Sequence, residues 1–170
     1  MRIATITATL LLAASSAAFA QAPNDAQIAG IVVTANTVDI QAGKLAQKMS
    51  KNKEVKAFAK QMVTDHSGVN KQATALVKKL KVTPADSDTS KSLKSGGDTN
   101  LANLKGLKGA AFDKAYVDNE VSYHQAVIDA LDKTLIPSAQ NAELKDTLVK
   151  VRPAFVAHLD HAKHIQAGMK

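Results

Sequence analysis

Along most of the chain the apolar residues return every three or four positions, and strand-like alternation is nowhere sustained. That period gathers them on one face of an α-helix. A first stripe, Ile28, Val32, Ala35, Asp39, Ala42, Ala46 and Met49, predicts a helix over about residues 25–50, with Asn24 and Gln27 spaced as a capping box. A second, Val55, Phe58, Met62, His66, Val69, Ala73, Leu76 and Leu80, predicts a helix over 53–80, capped by Asn52 and stopped by Thr83-Pro84. The third stripe is Val117, Val121, His124, Ile128, Leu131 and Leu135; it predicts 110–135, with Ile136-Pro137-Ser138 breaking the chain. A fourth, Leu144, Leu148, Val151, Phe155, His158, Ala162, Ile165 and Met169, predicts 142–169 behind Asn141. Pro153 falls inside this last helix. It cannot donate to the Val149 carbonyl, so a kink or split is expected there.

Wide apolar faces on long helices predict an all-α fold, a four-helix bundle. Tight turns make helices 1–2 and 3–4 antiparallel pairs. The connection between helices 2 and 3, Lys81 to Gly109, is too long for a structureless loop in a compact domain. It predicts a short helix near Thr99–Leu107, capped by Asp98, with Leu101, Leu104 and Leu107 against the bundle. Such a connection either crosses the whole bundle, the ferritin-like arrangement, or folds back into up-down-up-down order. The pattern leaves both open.

Composition sharpens this picture by exclusion. The chain has 170 residues, 45% of them hydrophobic, which suits one folded domain and not a disordered chain. The absence of Cys removes disulfide scaffolds, thiolate metal sites and thiol nucleophiles. Met1–Ala20 has the form of a signal peptide: Arg2, an apolar run from Ile3 to Ala14, and Ala18-Phe19-Ala20 as the cleavage site. Cleavage after Ala20 gives a periplasmic or secreted domain over 21–170. Loss of Arg2 leaves 21 basic and 15 acidic residues, mostly Lys on the basic side and dense from Lys44 to Lys60. Nucleic acid is not an expected partner of an exported protein with Arg152 as its single mature Arg; electrostatic contact with anionic envelope components is compatible with the Lys-rich end.

An internal echo runs through helices 2 and 3. Lys56-Ala57-Phe58, Val63-Thr64, His66 and Val69 recur 58 positions later as Lys114-Ala115-Tyr116, Val121-Ser122, His124 and Val127. The segments Val55-Lys56-x-Phe58-Ala59-x-x-Met62-Val63-x-Asp65-His66-x-x-x-Asn70, Phe112-Asp113-x-x-Tyr116 with His124, and Pro153-x-x-x-x-His158-Leu159 carry a family likeness. Over roughly residues 27–165 the chain resembles the exported bacterial family catalogued as domain of unknown function 4142. The resemblance implies a ferritin-like four-helix bundle, exported or associated with the outer membrane, and no particular activity.

The ferritin-like di-iron pattern needs Glu-x-x-His on two helices. Here the residues three before His66, His124 and His158 are Val63, Val121 and Phe155, so that pattern is missing. His158, His161 and His164 turn progressively off the core face, which predicts one interior and two outer imidazoles. Asp39, His66, His124 and His158, by contrast, lie near the midpoints of four core-facing stripes. They predict a polar layer across the middle of the bundle. Such a layer is either a hydrogen-bonded Asp–His arrangement fixing helix register, or a site for a single divalent transition metal, Zn²⁺, Cu²⁺ or Fe²⁺, with Asp39 or Glu120 beside the imidazoles. Three functional classes follow: a non-enzymatic exported protein with an envelope or stress-related role, a metal-binding or redox protein with a His-rich interior, and an envelope interaction module acting through its Lys-rich surface.

Overall fold

Three asparagines open three of the helices in the computed structural model, which describes residues 22–169. Asn24 Oδ1 accepts from Gln27 N at 2.9 Å while Gln27 Oε1 accepts from Asn24 N at 3.1 Å, and α1 runs from there over Asp25–Met49. Asn52 accepts from the amides of Glu54 and Val55 to start α2, Lys53–Leu80, which ends on Lys81 in the left-handed region at φ 54°. The expected signal peptide lies outside the described residues. No strand occurs among the described residues, and none of their helices is long and apolar enough to cross a membrane.

The connection after α2 departs from expectation. Its helix, α3, spans Asp88–Lys105 instead of Thr99–Leu107, and Ser87 with Ser90 forms the capping box in place of Asp98. Asp98 lies within the helix and pairs with Lys94 at 2.7 Å. Gly96-Gly97 lies inside this helix, and a Cβ on Gly97 would come within 2.7 Å of the Val38 side chain. That glycine lets α3 lie close against α1. Leu104 is fully buried, while Leu101 and Leu107 are half-buried.

Helix α4, Gly109–Ala130, also outruns its expected end. A π-helical turn, Leu131–Leu135, and a last helical turn, α5 (Ile136–Ser138), continue it through Pro137. Pro137 therefore does not break the helix where expected; the widened turn just before it relieves the clash its ring would make with the preceding turn. Asn141 then caps α6, Ala142–Gly168. Pro153 does not split α6, which runs through it. Val149, whose carbonyl loses its usual donor, is half exposed, so water can satisfy that oxygen.

Helices α1 and α2 pack as one antiparallel pair, α4 and α6 as another, and α3 lies along α1. The segment after α2 returns to the start of α1, where Ala85 N donates to the Ala26 carbonyl at 2.9 Å. From there α3 climbs parallel to α1, Leu93 joining the apolar cluster at one end and Leu104 the cluster at the other. The long connection thus crosses the molecule, and α2 and α4 point the same way. Phe58, Phe112, Tyr116 and Ile165 belong to one apolar cluster, and Ile28, Ile128, Leu131 and Leu148 to the other. Between them lies a polar layer.

Candidate metal centre

The parallel course of α2 and α4 turns the sequence echo into contacts. Phe58 and Tyr116 meet edge-on with ring centroids 6.3 Å apart, and His66 and His124 come to 5.5 Å. His158 from α6 completes a near-equilateral triangle of imidazoles, 5.2 Å from His66 and 5.4 Å from His124. Asp39 enters from α1, with Oδ2 3.3 Å from His66 Nε2 and 3.6 Å from His124 Nε2. Glu120 Oε2 lies 3.5 Å from His124 Nδ1. All five side chains are at most 2% exposed. The structure brings together every residue expected in the layer.

Each imidazole is oriented by a partner outside the triangle. His66 Nδ1 lies 2.6 Å from Asn36 Oδ1, and Asn36 Nδ2 donates to the Val32 carbonyl at 2.9 Å, which fixes the amide with its oxygen toward the ring. His124 Nδ1 faces the Glu120 carbonyl at 3.0 Å. His158 Nε2 faces Asp65 Oδ2 at 2.9 Å. All three partners are acceptors, so those nitrogens carry the protons. The opposite nitrogens, His66 Nε2, His124 Nε2 and His158 Nδ1, are left with lone pairs. With Asp39 ionised, none of the three has a hydrogen-bond partner in the protein, and neither has either oxygen of Asp39. Buried polar atoms are rarely left so, because each costs on the order of 1–3 kcal/mol.

Electrostatics point the same way. Burial pushes the Asp39 carboxyl up to about 8. Glu120 is raised well above the usual carboxylate range, first by burial and then by Asp39. His66 is held down to about 2 by burial, with His124 and His158 adding to it. Burial lowers His124 to about 4 against the pull of the Glu120 carbonyl, and lowers His158 against that of Asp65. Without an ion, burial thus favours the neutral form of each group, and a protonated Asp39 Oδ2 would stand 3.3 Å from His66 Nε2. Burial, then Glu120 and Asp39, raise the Tyr116 hydroxyl beside them.

Two members of the site are not evident as such in the sequence. Asn36 sits one turn before Asp39 on the same face and reads as an ordinary polar residue. Asp65 adjoins His66 in sequence yet serves His158, a pairing set by the approach of α2 to α6. The outer imidazoles follow expectation: His161 is half-buried, its ring edge-on to Phe58 at 5.2 Å, and His164 is exposed. Lys44, Lys48, Lys51, Lys53, Lys56 and Lys60 are all exposed around the α1–α2 turn.

Helices and layer together define an all-helical protein with imidazoles and carboxylates gathered in its interior. The chain belongs to the family described as Domain of unknown function (DUF4142), whose model matches residues 11–165. No curated protein and no solved structure matches it.

Proposed function

We propose that the protein binds one divalent transition-metal ion in this layer, through His66 Nε2, His124 Nε2, His158 Nδ1 and Asp39, with Glu120 adjoining. The observation that carries the reading is the pairing of a tied outer nitrogen with an unpartnered inner one on all three imidazoles. Metal-bound histidines characteristically donate their second N–H to a carboxylate or carbonyl, which fixes ring and tautomer. The spacing is consistent with this. Bonds of about 2.0–2.1 Å in a tetrahedron give donor–donor edges of roughly 3.3–3.4 Å, and the two nitrogen–oxygen separations to Asp39 are 3.3 and 3.6 Å. One nitrogen from each of the three histidines lies within 4.8 Å of the others, and Asp39, Glu120 and His124 form a second such group that shares His124. A bound dication would hold Asp39 ionised, reversing the effect of burial. Imidazole with carboxylate suits Zn²⁺, Cu²⁺ or Fe²⁺, and the ion would supply Lewis acidity or, for copper and iron, redox capacity.

Two coarser features fit the same reading. The parallel α2 and α4, joined by a connection that crosses the molecule, support a ferritin-like four-helix bundle of α1, α2, α4 and α6, with α3 as a crossover helix. The Met1–Ala20 segment supports export, with Gln21 as the first mature residue; intact mass of protein from the periplasm tests that cleavage.

The metal reading is tested on untagged protein, stripped with chelator and reloaded with Zn²⁺, Cu²⁺ or Fe²⁺. One equivalent should remain after gel filtration, and a His161→Ala/His164→Ala variant should keep it while His66→Ala loses it. A folded protein that retains no stoichiometric metal overturns the reading and leaves a layer that fixes helix register.

A further inference from the structure

Between α1, α3 and α4 a partly open cavity of about 220 Å³ reaches inward to His66 and His124. Ile31, Val32, Leu93, Val127, Leu131 and Phe155 make much of its wall, and no Asp, Glu, Lys or Arg lines it. Apart from the two imidazoles, the polar groups Asn36 and Tyr123 in its lining are already engaged. Asn36 spends its oxygen on His66 and its amide on the Val32 carbonyl, and the Tyr123 hydroxyl donates to the Ala35 carbonyl at 2.9 Å. With no charged side chain in its wall, an ion entering this space would lose its water without a counter-charge, so a neutral ligand is favoured over a charged one of the same size. Apolar surface and shape are what the cavity offers. For scale, an apolar protein cavity of roughly 150 Å³ admits benzene.

The face of Phe155 is not free to close this space. Its ring stacks on His66 at 5.2 Å with 9° between the planes and stands edge-on to His124 at 6.5 Å, so one side of the cavity is held by the polar layer itself. Leu93 comes from α3, the helix that lies against α1 through Gly97. The crossing connection thus supplies a wall of the cavity as well as a link between helix pairs.

We propose that the cavity binds a small neutral, mainly apolar molecule of about the size of a substituted benzene ring, seated against the edges of His66 and His124. This goes beyond the metal reading and does not depend on it, because the cavity needs no ion to exist. The test uses toluene as the probe, with benzamidinium as a charged counterpart of similar size. Untagged protein is followed by methyl NMR, once metal-free and once loaded with Zn²⁺. Toluene should saturate at one equivalent in both forms, shifting the methyls of Leu93, Val127 and Leu131, and benzamidinium should bind at least tenfold more weakly. Val127→Phe should fill the space and weaken toluene binding at least tenfold; if that variant does not fold, Ala130→Leu serves the same purpose. Folded protein that does not bind toluene, binds benzamidinium as well, or keeps its affinity in the filled variant overturns the proposal. Toluene binding without metal uptake upholds this inference and sinks the metal reading, whereas metal uptake without toluene binding does the reverse.

Discussion

The apolar ends and the polar middle of the protein are made from the same helical stripes, and they solve burial in opposite ways. At the ends, Phe58, Phe112, Tyr116 and Ile165 on one side and Ile128, Leu131 and Leu148 on the other bury surface against each other. Apart from the buried Tyr116 hydroxyl, these contacts are apolar, and dispersion and water exclusion need no particular partner atom. One or two turns away, Asp39, His66, His124 and His158 are just as buried, yet their inward atoms find no hydrogen-bond partner. The surface shows that this chain readily supplies partners when charge is wanted. Lys94–Asp98, Lys114–Asp118 and Lys133–Asp129 all close at 2.6–2.8 Å. A middle layer that orients its rings from outside, while leaving the inside unpaired, is the feature on which the proposed metal reading rests.

The comparison can be broken at its apolar end first. Phe58→Ala should cost about 3–5 kcal/mol in urea unfolding, with metal content per folded molecule unchanged. At the polar layer the effect should depend on metal. For His66→Ala, the stability added by metal should vanish, about 2.7 kcal/mol where free metal stands 100-fold above Kd; paired thermal melts with and without EDTA measure it. Asn36→Ala touches no metal donor, only the orientation of His66. Its expected signature is a 10–100-fold loss of metal affinity in a competitive chelator titration, and affinity equal to wild type would show that the His66–Asn36 bond has no such role. The smallest effect belongs to the surface. Arg152 grips Asp132 through two bonds of 2.6 and 2.7 Å and holds its carboxyl below the usual range. A depressed carboxylate adds stability above its ordinary pKa and loses it as pH falls through the lowered one. Asp132→Asn should therefore lower the melting temperature slightly at pH 7, less at pH 3, and less again in 1 M salt.

Much of the fold can be read from the sequence because caps and stripes are local. Asn24, Asn52 and Asn141 mark three helix starts, and each caps as its spacing demands. The polar layer is legible for a similar reason, a titratable residue near the midpoint of each of four stripes. What fails is whatever depends on a neighbour. The helix expected from Thr99 starts at Asp88 instead and runs through Gly96-Gly97, where Val38 occupies the space a side chain would need. Pro137 suggests a stop until the π-turn before it is seen. The pairing of Asp65 with His158 skips the adjacent His66, and only the packing of α2 on α6 reveals it. The direction of α2 relative to α4 is likewise silent in the pattern, although their echo of matching residues was its one trace.

The donors of the layer come from α1, α2, α4 and α6, from Asp39 near the start of the described chain to His158 near its end. No single hairpin holds a complete set. On the proposed metal reading, the full donor set would assemble only once the last helix has docked. The place where folding finishes, rather than the place of synthesis, would then decide which metals compete for the proposed site. Among divalent ions the intrinsic order runs to copper ahead of zinc and iron. On that reading, copper would therefore outcompete the others wherever the protein matures in the presence of free copper.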